Sequence, residues 1–284
     1  MFKLKAQKKT EKKITTEKKL IKVGFFWFLA IIVFFLAAFV SSMVIGCRQI
    51  PTGSTPGGIR AAIVDQLYTN YPNEDFNTKV TQILEDFGFE VDIYKGDDVT
   101  VGLYRNLPAY DYKLIIFRAH SGVLSPTAQD VGAIIGTYLF TNESFNIAKY
   151  TKERLGAEIA PAKVKPDDPP YFSIGPKFIL NSMKGKFNNT IVVVDGCSCI
   201  YVDDLAQAFT STGVSCYIAW SASINLDYGD KTTITLINNL CSERLPVNEA
   251  VYSTMVTEGP DEFSAVMKYY PPKSGDKTLK QLIQ

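Results

Sequence analysis

Two short, uninterrupted apolar runs constrain this chain more than anything else in it. Leu114-Ile115-Ile116-Phe117 and Ile191-Val192-Val193-Val194 are brief and rich in β-branched residues, which favours strand over helix. Neither alternates with polar residues, so each reads as a strand buried on both faces, the habit of a parallel sheet. Both stop abruptly. The first runs into Arg118-Ala119-His120-Ser121-Gly122, carrying the chain's single histidine, and the second into Asp195-Gly196-Cys197-Ser198-Cys199. Open α/β sheets place their sites just beyond the carboxyl ends of their strands. With neighbouring strands roughly 4.8 Å apart, a thiol and an imidazole can meet there as nucleophile and base.

The segments around these runs fit the same architecture. Ala61 to Leu67 reads as a first strand, and Pro72-Asn73 opens a helix with Phe76, Val80, Ile83, Leu84 and Phe87 on one face and Gly88 at its stop. A strand at Glu90–Tyr94 and a short helix at Thr100–Leu107 complete a βαβ alternation. Residues about 123–189 break the rhythm: a strand at Gly132–Thr141 in a hairpin or edge, a loop at 161–170, and a weak helix at Lys177–Met183. This insertion is expected to form a rim around the site. A helix at Asp203–Thr210, a strand at Val214–Trp220, helices within 229–242 and 247–256, and a last strand at Phe263–Tyr269 follow. The domain is expected to span 59–284.

Before it lies a different kind of segment. The first 22 residues hold nine lysines and two glutamates, leaving the remainder net acidic although the whole chain is formally +1. The Lys-rich tail (1–23) precedes an uncharged stretch, Gly24 to Gly46 (24–46), which as a helix would reach about 35 Å against a hydrocarbon core of about 30 Å. Lysines on its leading side place the N-terminus in the cytoplasm and the domain outside, as a single-pass protein. The alternative is a lipoprotein signal, with Val44-Ile45-Gly46-Cys47 as lipobox and Cys47 as the lipidated residue. Residues 47–58 form the linker. Balanced charge excludes a general nucleic-acid binder. Four cysteines follow the anchor (Cys197, Cys199, Cys216, Cys241), and their pairing is open. Asn142 and Asn188 head glycosylation acceptors. One His and a Cys-x-Cys do not make a familiar zinc site, and no Gly-rich phosphate loop is present.

An apolar strand ending in His with a nearby Gly, then another ending in an acid, a small residue and Cys, resembles the signature of the clan CD cysteine peptidases. These include caspases, metacaspases, legumains, gingipains and clostripain. The resemblance covers roughly 59–270. It implies an α/β, caspase-like three-layer sandwich with a mostly parallel central sheet, here preceded by the membrane helix. It implies Cys197 as nucleophile and His120 as general base and acid, with backbone amides of Cys197 and of Ser121 or Gly122 forming the oxyanion hole. The sequence departs from the family in His120-Ser121-Gly122, where His-Gly is usual, and in Gly196, where Ala is usual. Its 77-residue His–Cys separation exceeds the caspase spacing of about 50.

By the same resemblance, Asp195 and Asp65 would line an acidic pocket and direct cleavage after Arg or Lys. Trp220 and Ser221 would flank a groove in which an extended peptide adds as a strand. Asp203, Asp204, Asp227 and Asp230 are candidate calcium ligands, and no other cofactor is implied. Each residue has a structural alternative: a buried thiol, a strand-end imidazole, capping aspartates, a core tryptophan. Cys199 reads as structural or as a disulfide partner. The expected partners are a peptide or protein substrate and, through the anchor, a membrane. The competing function is a catalytically inactive caspase-like binding or assembly module on the cell surface.

Overall fold

The computed structural model describes residues 58–124 and 136–284. The lysine tail, the expected membrane segment, Cys47 and most of the linker lie outside these residues. Among the described residues no helix is long and apolar enough to cross a membrane.

The apolar runs form the centre of a six-stranded sheet. Its strands are β1 (Ile59–Asp65), β2 (Phe89–Lys95), β3 (Leu114–Arg118), β8 (Thr190–Asp195), β9 (Val214–Trp220) and β10 (Met267–Tyr270), in spatial order β10-β9-β8-β3-β1-β2. All pairings are parallel except β10 with β9. The sheet is thus mixed α/β and mostly parallel. Side chains alternate between two faces, and both faces are buried, which is why the runs show no polar alternation. Val64, Ile115, Phe117, Val192 and Val194 face one layer; Ile63, Leu114, Ile116, Ile191 and Val193 face the other.

The second of those layers is helical: α1 (Glu74–Phe87), α6 (Leu226–Cys241), α7 (Val247–Glu258) and the short α8 (Leu279–Leu282). Local chemistry sets the ends of α1. Asn73 Oδ1 accepts from Phe76 N–H at 3.0 Å, and Gly88 closes the helix at φ 109°, a left-handed conformation suited to glycine.

The first layer corrects the expectation for the insertion. Along with α2 (Val101–Asn106), α4 (Pro176–Asn181) and α5 (Asp204–Ser211), it contains a second, four-stranded antiparallel sheet. Its strands are β4 (Ser121–Leu124), β5 (Gly136–Ser144), β6 (Ile159–Ala162) and β7 (Tyr171–Ile174), in order β4-β5-β7-β6. Leu139, Ile159, Phe172 and Ile174 are buried in the same core as Phe117 and Val194. The inserted strands β5, β6 and β7 therefore contribute to the core, and among the described residues the loop between β6 and β7 stands as a rim beside the site.

Candidate active site

β3 and β8 are neighbours, and their register pairs Arg118 with Asp195. His120 and Cys197 each lie two residues beyond that pair, at the same edge of the sheet. Backbone and side-chain bonds stitch the two exits together: Ala119 N–H donates to Asp195 O at 3.0 Å, and the Ser121 hydroxyl donates to Cys197 O at 2.7 Å.

Cys197 sits in a tight turn. Ser198 adopts φ 57°, unusual for a non-glycine residue. Its N–H donates to Ala222 O, and Ile200 N–H donates to Trp220 O, so the exit of β9 holds the turn. The four cysteines after the expected anchor are free thiols, of which Cys197 alone is half-exposed. Burial pushes the thiols of Cys199, Cys216 and Cys241 up to about 12, so they stay protonated. Cys199 is a core residue rather than a disulfide partner.

His120 is held by residues of the turn that follows β1 and of β5. Its N–H donates to Gln66 Oε1 at 2.9 Å, and its carbonyl accepts from Phe140 N–H at 3.0 Å. Tyr71 meets the ring edge-on at 5.9 Å, with Phe140 at 6.0 Å. Burial, and then the Arg118 charge, lower the imidazole below its ordinary value, which keeps it neutral as a base must be. Its Nε2 is buried without a hydrogen-bond partner, a cost that a satisfied core histidine would not carry. The Cys197 thiol points to Ile224 O at 3.8 Å, so thiol and Nε2 are neighbours by topology but not hydrogen-bonded. A cavity of about 340 Å³ lies beside the imidazole, walled by Tyr71, Pro169 and Tyr171 with Val164, Lys165, Asp168 and Asn70.

The two oxyanion candidates differ. Bonded pairs alternate along an antiparallel ladder. Because Phe140 bonds His120, the next bonded pair is Gly122–Tyr138. The Ser121 amide therefore points away from β5, while that of Gly122 faces the ladder.

Gly196 and Ser121 are in close contact at this edge. A Cβ on Gly196 would lie 2.6 Å from Ala119 O and 2.7 Å from Ser121 Oγ. A methyl there is thus excluded by a backbone oxygen as well as by the serine hydroxyl.

The candidate pocket and groove residues are engaged within the fold. Asp65 and Asp195 are both buried, and the chain supplies its own guanidinium to Asp65, whose Oδ1 accepts from Arg118 Nη1 at 2.8 Å. Burial, and then the Asp230 carboxylate, hold Asp195 well above the usual carboxylate range. Trp220 is 1% exposed, packed on Tyr228 and paired with Met267 of β10; Ser221 N–H donates to Val266 O. That edge of β9 is covered by residues 266–270 and cannot accept a further strand. The calcium candidates are scattered. Asp204 accepts from Thr137 N–H, Asp230 binds Arg118, and no group of side chains among the described residues is arranged to hold a metal. Asn142 is also tied down, exchanging hydrogen bonds with the side chain and carbonyl of Gln66.

No family model matches this sequence, and no curated protein does. Among solved structures, the chain is similar to a crystal structure of the Arg-specific cysteine proteinase gingipain R. Identity is 11% and the TM-score 0.40, over 78% of this chain and 44% of that one. The chain thus spans less than half of that protein's length.

Sequence reasoning missed Gln66 and Tyr71, and the part that Asn73, Arg118 and Asp230 play in the buried cluster. Only Arg118 carried a signal: a charge closing an apolar, doubly buried strand must find a partner. The others depend on which strand ends and helix start converge.

Proposed function

We propose that this protein is a cysteine endopeptidase of caspase-like fold, tethered to a membrane by residues 24–46 with its domain outside the cytoplasm. The observation that carries this reading is the shared sheet edge of His120 and Cys197, joined by the Ser121–Cys197 hydrogen bond. A half-exposed thiol, a neutral imidazole with an unpartnered nitrogen and an adjoining cavity are the parts that acyl transfer requires. In this mechanism His120 takes the Cys197 proton as the thiolate attacks a peptide carbonyl. The amides of Cys197 and Ser121 stabilise the oxyanion, and His120 returns the proton to the leaving amine. Water then attacks the acyl-enzyme, with His120 again as base.

A second reading, a non-catalytic caspase-like binding module, is favoured by the thiol's orientation towards Ile224 O rather than Nε2. Cleavage of a mixed peptide library by the full-length protein in detergent decides between them. The peptidase reading expects products that vanish in both Cys197→Ala and His120→Ala. An intact library, or products that persist in Cys197→Ala, would contradict it.

A further inference from the structure

Arg118 ends in a site built for a guanidinium. Its Nε and Nη2 meet the two oxygens of Asp230 at 2.5 and 2.9 Å, and Nη1 meets Asp65 Oδ1 at 2.8 Å and Tyr71 O at 3.0 Å. The Phe76 ring lies 5.6 Å from the guanidinium carbon. Asn77 donates to the other Asp65 oxygen and Asn73 to Asp230. A carboxylate fork, a second carboxylate and an aromatic face together recognise a planar cation. Arg118 is 1% exposed, so the recess is full.

We propose that Arg118 determines the specificity of this site: by filling the acidic recess with the chain's own guanidinium, it makes the enzyme reject Arg and Lys at the cleaved position. The substrate side chain, uncharged and aromatic or aliphatic, enters the cavity beside His120 instead. This rests on the peptidase reading. Tyr71 links the two places, since its carbonyl accepts from Arg118 and its ring stands against the imidazole. Tyr71, Pro169, Tyr171 and Val164 supply the apolar part of the cavity wall, and Asn70, Lys165, Asp168 and His120 the polar part. Lys165 and Asp168 line it with opposite charges, and Asp168 Oδ2 also accepts from Lys165 N–H at 3.0 Å, so the cavity carries no net charge that would select a cation.

Two measurements on the full-length protein test the proposal. The first compares reporter peptides that differ only at the residue before the cleaved bond. Phe, Tyr or Leu should exceed Arg and Lys by at least about tenfold in kcat/KM, and preference for Arg or Lys would overturn the proposal. The second follows the cooperative melting of Arg118→Ala with millimolar methylguanidinium chloride, using methylammonium chloride as control. Methylguanidinium should raise or restore the transition saturably, methylammonium should not, and the wild type should respond to neither. Failure of methylguanidinium to do so, including a variant that stays unfolded with it, overturns the recess. If no reporter is cut while the melting result holds, the peptidase reading fails and the guanidinium recess stands.

Discussion

Cys197 and its neighbours show how far single atoms set this site. A methyl on Gly196 would collide with Ala119 O and with the Ser121 hydroxyl. Gly196→Ala is therefore expected to cost about 1–3 kcal/mol of stability, measured by chemical denaturation. Adding Ser121→Gly removes one of the two collisions and should recover part of that loss. Simple addition of the two single effects would mean that the residues are not coupled. His120 titrates below its ordinary 6.5 because burial and the Arg118 charge disfavour its protonated form. The base form thus persists to lower pH than for a free imidazole. The acid limb of the kcat/KM–pH profile should have its midpoint below 6.5, and a midpoint above it would place a different group in the base's role.

The ends of β1, β3 and β8 and the start of α6 meet in one buried cluster, so elements rather than isolated residues determine its energetics. Removing one partner of a buried ion pair typically costs about 3–5 kcal/mol, which makes Arg118 and Asp230 fixtures of the fold as well as of the site. Asn73 serves two elements at once: it caps α1 and donates to Asp230 of α6 at 2.8 Å. Asn73→Ala should cost about 1–2 kcal/mol, read from urea unfolding. Asp195 behaves differently. Its folded value lies above its unfolded one, so its contribution is fully present below the unfolded carboxylate value and is lost as pH rises through the folded value. Where Asp195 is protonated, an amide of the same shape should replace it at little cost. Asp195→Asn removes the titrating group, so its stability should fall less than that of the wild type as pH rises; an unchanged pH dependence would mean that Asp195 does not titrate above its ordinary range.

Over the whole molecule, what could be read from the sequence was what local chemistry dictates. The central strands follow from β-branched runs, the ends of α1 from Asn73 and Gly88, and the pairing of the His120 and Cys197 exits from two parallel strands that end alike. The second sheet was hidden because β4, β6 and β7 are only four residues each; β6 and β7 owe their existence to burial in the core that holds Phe117 and Val194, and β4 to its pairing with β5. The destination of Arg118 was hidden because Asp230 is 112 residues away and reaches it only through the order of the sheet. Trp220 was misplaced for the same reason, since β10 returns antiparallel to cover its edge. The site as a whole makes one claim, that Cys197 is activated by His120. The direct measurement is the rate of iodoacetamide alkylation at neutral pH, assigned to individual cysteines by mass spectrometry, in wild type and in His120→Ala. Cys197 should be modified well before Cys199, Cys216 and Cys241, and His120→Ala should slow it. Equal rates in the two proteins, or first modification at another of these thiols, would contradict the claim.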